Sequence, residues 1–278
     1  MTFSSETICA LSGADLRNLK RWYRCGFINK RAADKEWSEK QLEEVLRMTH
    51  LTSQGATLRE IKMALDAAHP IRTGGWAARR GDVLWQLEYG SDRSLTVLLR
   101  KLASNFTSDD LVFKLLHPLN QWLRDDTRTG AGGRTERFHH LVVAHADTMI
   151  TNARRTSGVP LLLESVSERN KTEIWLEAIR LSGQGFCVEI LPFSSMDEPV
   201  AGSHEHHLFW CGAGLTEPMH QHYLTRLNKG HHVLLCGPDR RVHHLNPQLN
   251  GAVRAPVVPN LCFITPSLSQ PGRNDYTY

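Results

Sequence analysis

Long apolar runs are missing from this sequence: no window approaches the roughly eighteen uninterrupted apolar residues of a membrane-spanning helix. Its start, Met1-Thr2-Phe3-Ser4-Ser5-Glu6, lacks the basic residues and apolar stretch of a signal peptide, so the expected location is the cytoplasm. Neither a CxxC pair nor a zinc-finger spacing occurs among Cys9, Cys25, Cys187, Cys211, Cys236 and Cys262, which fits reduced thiols acting as small buried hydrophobes. Catalytic signatures are absent too. There is no GxSxG, no GxxxxGK phosphate loop and no HExxH, and Gly212-Ala213-Gly214 lacks the third glycine of a dinucleotide fingerprint. We therefore expect no enzyme, no catalytic residues and no bound cofactor. Charge of one sign is also scarce, because 33 Lys and Arg against 29 Asp and Glu leave only +4. As a whole-chain figure this does not argue for nucleic acid.

What is present is a folded protein of ordinary composition, 41% hydrophobic and 22% charged over 278 residues, long enough for two or three compact units. Residues 5 to 13 and 14 to 25 read as two short helices separated by Ser12-Gly13, with Asp15 placed to cap the second. This is a helix-turn-helix outline. In the second helix Leu16, Leu19 and Tyr23 form one apolar seam, and Arg17, Lys20, Arg21 and Arg24 lie off it. A cationic face of this kind suits a helix that approaches phosphates and base edges in a major groove. The basic excursion after Gly26, with Lys30, Arg31 and Lys35 before Trp37, has the place of a wing. Residues 17 to 35 hold seven basic side chains against Asp34 alone, so the chain's basic excess is concentrated there. Ser38 with Gln41 starts a helix over 38 to 52, inward at Leu42, Val45, Leu46 and Met48. Thr57 caps another, running to about Ala68 with Leu58, Ile61 and Leu65 inward.

These residues resemble the MerR-type winged helix-turn-helix regulators. Leu19-Lys20-Arg21-Trp22-Tyr23-Arg24-Cys25-Gly26-Phe27-Ile28 is similar to the family's LRYYExxGLL segment, and Gln54-Gly55-Ala56-Thr57-Leu58-Arg59-Glu60-Ile61 to its xGfsLxEI. The resemblance implies a homodimer that acts on double-stranded promoter DNA, with RNA polymerase or a regulatory protein as a further partner. The implied DNA-binding residues are Arg17, Asn18, Lys20, Arg21, Trp22, Arg24, Lys30, Arg31 and Lys35. The wing departs from the family pattern, since no Gly-Tyr precedes Trp37.

His69-Pro70-Ile71-Arg72-Thr73-Gly74-Gly75 breaks the helical pattern and reads as a linker. Beyond it, helices are expected at about 76 to 89, 92 to 104, 108 to 125 and 134 to 156, with Thr129-Gly130-Ala131-Gly132-Gly133 as a loop. Leu84, Leu87, Leu95, Leu98, Leu99, Leu102, Leu111, Leu115, Leu119, Trp122 and Leu123 follow the spacing of a four-helix bundle core. From residue 159 the texture alternates. Apolar strands at 159–163, 186–191, 207–211 and 233–236, with helices at about 169 to 183 and 216 to 229, point to a small doubly wound parallel domain. The proline-rich residues 241 to 278 read as a loosely ordered tail.

The expected fold class is thus multidomain α and α/β: a winged helix-turn-helix (1–69), a four-helix bundle (75–157), a small parallel α/β domain (158–240) and the tail. This order resembles the branch of the MerR-type family whose C-terminal half is related to cobalamin-binding modules, and in particular enterobacterial members that control curli and biofilm genes. In cobalamin-binding members an acidic-x-His-x-x-Gly motif follows the first strand. Here Asn170 occupies the place of that histidine and Glu173 that of the glycine, so the resemblance implies a C-terminal half without the cobalt ligand. In light-sensing relatives a Glu-His pair lies in the bundle, where this chain has Ala144-His145.

Two further features invite a functional reading. Trp210-Cys211-Gly212 and Leu235-Cys236-Gly237 place thiols at strand ends, where a small effector or a redox signal would be received. Nine of the fifteen histidines lie from His204 onward, yet adjacent strand residues point to opposite faces and no spacing matches a zinc site, so no metal is expected. The expected function is sequence-specific transcriptional regulation. The alternative is a protein-interaction module, or anti-regulator, with weakened DNA binding.

Overall fold

A computed structural model describes residues 2–29, 36–66, 74–191, 204, 206–230 and 233–237. The chain divides into two compact units, Met1–Pro247 and Gln248–Tyr278, and the second falls wholly outside the described residues, as does the expected tail. The wing residues Lys30, Arg31 and Lys35 and most of the expected linker are also outside them. None of the described helices is long and apolar enough to cross a membrane.

The first unit begins with β1 (Thr2–Phe3), α1 (Ser5–Ser12), α2 (Leu16–Arg24), β2 (Trp37–Ser38), α3 (Glu39–Ser53) and α4 (Leu58–Asp66). β1 pairs antiparallel with β2, Phe3 opposite Trp37, and the Trp37 indole donates to the Ser5 hydroxyl at 2.9 Å. These elements close on one apolar core containing Ile8, Leu19, Trp22, Ile28, Trp37, Val45, Met48 and Ile61. The caps expected at Ser38 and Thr57 form. The Ser38 amide donates to the Gln41 side chain at 2.8 Å while the Gln41 amide donates back to the Ser38 hydroxyl at 3.4 Å, and Thr57 with Glu60 repeats the device.

Four helical segments follow: α5 (Gly75–Tyr89), α6 (Asp92–Ala103), a run made of α7 (Ser108–Asp110), a π-helical stretch (Leu111–Leu116) and α8 (His117–Asp125), and α9 (Ala131–Arg155). Leu87, Leu95, Leu99, Leu111, Leu115, Leu119, Phe138 and Val142 fill the core between them. The third helical run keeps the expected bounds of 108 to 125, though its interior varies, and two other local expectations are corrected. The third helix is not uniform: Pro118 has no N–H to offer the Lys114 carbonyl, which accepts from Arg80 at 3.5 Å instead. The fourth helix starts at Ala131 and takes Gly132 and Gly133 into its first turn. Trp122, expected in the core, is 40% exposed, and its ring is partly covered by the Arg128 guanidinium, 4.7 Å from the centroid.

The remainder is β3 (Val159–Ser167), α10 (Glu173–Gly183), β4 (Phe186–Leu191), β5 (His206–Cys211), α11 (Glu217–Asn228) and β6 (Val233–Cys236). The four strands are all parallel, in the order β4-β3-β5-β6. Tyr223 and Leu227 of α11 pack with Phe209, Val233 and Leu235 of the sheet. Leu176 and Ile179 of α10 instead enter the core formed by α5 to α9, so the α/β segment and the helices share one apolar interior.

Candidate nucleic-acid interface

The apolar seam of α2 differs from the one expected. Leu19 and Trp22 are buried, Tyr23 is partly buried against Trp37, and Leu16 is 41% exposed. Asn18 is buried as well. Asn18 and Trp22, both expected among the DNA-binding residues, thus lie on the inward side of the helix beside Leu19, which is at the centre of the core. Arg17, Lys20 and Arg24 are exposed and Arg21 is partly so, and their spacing of three and four residues lines them along one side of the helix. The exposed cations therefore stand on a helix whose opposite side is fixed by a tryptophan and a leucine.

Asp15 occupies the N-cap position of α2, but its carboxylate makes no capping bond to the helix. It is turned instead toward α7. Burial and the nearby Asp109 push its pKa up to about 6, while Arg17 and the Ser108 backbone N–H pull against the rise. Asp15, Arg17 and Asn18 line a small cavity of about 20 Å³ together with Ser108, His145, Met149 and Gly183. That is room for about one water molecule. His145 is 8% exposed, its Nε2 has no hydrogen-bond partner, and burial lowers its pKa to about 4, with Arg100 and Arg17 adding to the effect.

The N-terminal elements are seated on the helices that follow. The Leu58 amide at the start of α4 donates to the Asn105 side chain at 3.0 Å, the Trp76 indole donates to the Ser53 carbonyl at 2.8 Å, and Lys114 donates to the same carbonyl at 2.9 Å. Arg79 pairs with Glu60 and reaches the Gly55 carbonyl. Gly55 has φ +87°, and a Cβ there would lie 2.8 Å from the Trp76 amide nitrogen, so only glycine admits this contact. Nothing in the one-dimensional pattern marks Asn105, Trp76 or Ser108 as docking residues, because each partner is remote in sequence.

At the carboxyl ends of β3 and β5, where a doubly wound sheet offers its crevice, the chain bonds to itself. The Gly212 amide donates to the Ser167 carbonyl at 2.8 Å, the Ala213 amide to the Ser167 hydroxyl at 3.2 Å, and that hydroxyl to the Gly214 carbonyl at 2.5 Å. The Asn170 side chain accepts from the Thr172 amide at 2.8 Å and donates to Asn120 at 3.3 Å. Glu173 is buried with its carboxylate 3.7 Å from Arg124. An amide engaged in its own turn and a buried carboxylate do not fit the cobalt-ligating loop of a cobalamin module.

Cys211 and Cys236 both donate to the Phe209 carbonyl, at 3.7 and 3.4 Å. Both are buried, and burial pushes the Cys211 thiol up to about 12 and that of Cys236 well above its usual value. Buried protonated thiols are poor nucleophiles, which speaks against the redox role considered from sequence. His207 bonds Glu164 at 2.7 Å on one face of the sheet, and His206 stacks edge-on against Phe186, its centroid 5.8 Å away. Among the described residues no group of three or more His, Cys, Asp or Glu is arranged to hold a metal ion.

Comparison with known proteins bears on both halves. Residues 158–233 match the model of the C-terminal domain of the transcriptional regulator MlrA. The chain is 20% identical over 234 residues to the HTH-type transcriptional regulator MlrA of Escherichia coli K12, covering 83% of this chain and 95% of that protein. It is 19% identical over 230 residues to the protein of the same description in Salmonella typhimurium SL1344, covering 81% and 93%. The matched C-terminal domain and the similarity across more than four fifths of the sequence make this an MlrA-like chain.

Proposed function

We propose that this chain is a sequence-specific, DNA-binding transcriptional regulator of the MerR type, acting as a cytoplasmic homodimer. The observation that carries this reading is the exposed row Arg17, Lys20, Arg21 and Arg24, mounted on the buried Leu19 and Trp22 of α2. A rigid helix presenting guanidinium and ammonium groups along one side binds phosphates and reads guanine edges in a major groove. The relatives' description as HTH-type transcriptional regulators supports it. In this reading residues 1–69 grip promoter DNA, with Lys30, Arg31 and Lys35 on the flanking backbone. Residues 75–157 connect that grip to 158–240, which receives a signal from a small molecule or from a protein such as RNA polymerase. Control of biofilm genes is the matching biological setting.

The test begins with sheared genomic DNA, recovery of the fragments that the full chain retains, and measurement of affinity for one of them across salt concentrations. Several phosphate contacts give a steep fall of affinity with salt, and Arg17→Ala or Arg21→Ala lessens both affinity and slope. One observation favours the second reading, a protein-interaction module with weakened DNA binding: α2 turns its one amide side chain, Asn18, into the interior. A flat salt dependence, unchanged in the arginine variants, selects that reading over the first.

A further inference from the structure

We propose that the junction around Asp15 is a proton-linked latch, in which uptake of a proton by Asp15 tightens the seat of α2 on α7 and α9 and its loss loosens that seat. Its relevance to DNA rests on the reading of α2 as the DNA-contacting helix; the latch itself does not.

The argument starts from position. Asp15 is the residue from which α2 departs, so its placement sets where the cationic row begins. Asp15 lies at the meeting point of three parts of the molecule: α2, the helices α6, α7 and α9, and α10, which contributes Ile179 and Gly183 to the same cavity. Ser108 touches two of these parts. Its backbone N–H faces Asp15, and its hydroxyl donates to the Arg180 carbonyl of α10 at 3.2 Å.

The charged and titratable surroundings of Asp15 are unequal in sign. From its own helix comes Arg17; from α7 come Asp109 and Asp110; from α9 comes His145, with Arg100 of α6 near that ring. Arg180 and Glu177 of α10 act one step away, on Asp109: Arg180 lies 3.6 Å from it, and both bond to each other at 2.6 Å. Arg180 is thus largely occupied by its own partners, and Asp15 faces two further carboxylates with one guanidinium to offset them. The remaining walls, Ala103, Phe106, Leu111, Met149 and Ile179, are apolar. His145 presents an unpartnered Nε2 in a ring more than nine-tenths buried, so the cavity holds a neutral imidazole that supplies no compensating charge. A neutral carboxyl suits this pocket, and a carboxylate is tolerated at a cost that moving α2 outward relieves.

The sign follows. The pKa of Asp15 is raised on docking, to about 6 from an ordinary 3.8, so the tightening is fully present below the ordinary value and is lost as pH rises through about 6. His145 works in the opposite direction, since its lowered value withdraws stability as pH falls from 6.5 toward about 4. The two must therefore be separated by mutation and not by pH alone.

The experiment uses the full chain without DNA, so that its outcome is independent of whether the protein binds DNA. Thermal unfolding is followed from pH 4 to 8 for the natural chain and for Asp15→Asn, which keeps the size of the side chain and an oxygen to accept from the Ser108 N–H but cannot ionise. Asp15→Ser serves if the asparagine variant does not fold. The gap in Tm, variant above natural chain, is expected to open between pH 4 and about 6.5 and then to stay level. About two pKa units correspond to roughly 100-fold in the folding equilibrium, and so to a Tm gap of several °C. Hydrogen exchange at pH 7.5 should show slower exchange over residues 13–20 and at Ser108 in the variant. A gap that is constant with pH, or unaltered protection of those segments, overturns the proposal.

Discussion

Ser108 sits over Gly183 so closely that a Cβ on the glycine would lie 2.2 Å from its hydroxyl oxygen and 2.3 Å from its Cβ. The same hydroxyl donates to the Arg180 carbonyl, and Gln184 donates to Asp109 at 3.0 Å, so the first turn of α7 is clasped to the last turn of α10. Because α2 begins beside α7, this contact is where the α/β segment approaches the cationic helix.

Gly183→Ala is expected to destabilise the chain by about 1–3 kcal/mol, the usual cost of overpacking a tight contact. The obstacle is a short side chain with nowhere to swing. Ser108→Gly in the same chain should recover part of the loss, measured by chemical denaturation, and equal losses in the single and double variants would show that the collision is not the cause.

Asn105→Ala removes the acceptor for the Leu58 amide, a bond made in a buried setting at the start of α4. A loss of about 1–2 kcal/mol is expected, as for a helix cap. Asn105→Asp keeps an acceptor for the Leu58 amide but gives up the amide's donation to the Lys101 carbonyl at 2.5 Å and sets a carboxylate beside that oxygen at the end of α6, so it should not restore the loss, and urea titration of the two variants gives the comparison.

On α2 the two faces should answer differently. Trp22→Ala empties a fully buried indole and is expected to cost about 3–5 kcal/mol of stability. Lys20→Ala and Arg24→Ala, both exposed, should leave Tm nearly unchanged while weakening binding to a retained genomic fragment. Parallel melting and gel-shift measurements decide it: a loss of stability in the exposed variants would place them in the scaffold.

His145 gives an acid-side test. Its pKa is lowered by burial to about 4, so the unfolded chain takes up a proton first and stability falls as pH drops from 6.5 through about 4. His145→Leu removes that dependence, on the order of 2–3 kcal/mol across the window. Acid titration of unfolding in an Asp15→Asn background isolates it from the opposing carboxyl.

Thiol labelling checks the strand ends. Among the thiols of the described residues Cys25 is exposed and should react first with a soluble thiol reagent, whereas Cys211 and Cys236, buried and with raised thiol pKa values, should react only on unfolding. Quick loss of either buried thiol in the folded chain would reopen a redox role.

Local signals in the sequence carried a long way. Ser38-x-x-Gln41 and Thr57-x-x-Glu60 marked helix starts because capping is decided within four residues. The runs 186–191 and 233–236 marked β4 and β6 to the residue, since a short, mostly apolar run bounded by turn residues suits a strand of a covered sheet, and Glu189, the one charge among them, lies exposed on an edge strand. The basic excess on α2 was legible for the same reason: spacing along one helix is a local property. Three matters needed the folded chain. Leu16 and Trp22 exchanged roles because the depth of the neighbouring core, and not hydropathy, selects the inward side of a short helix. Asp15 left its cap because α7, remote in sequence, faced it with an N–H. The meeting of α2, α7, α9 and α10 around His145 is a product of long-range packing, which no pattern of neighbouring residues encodes.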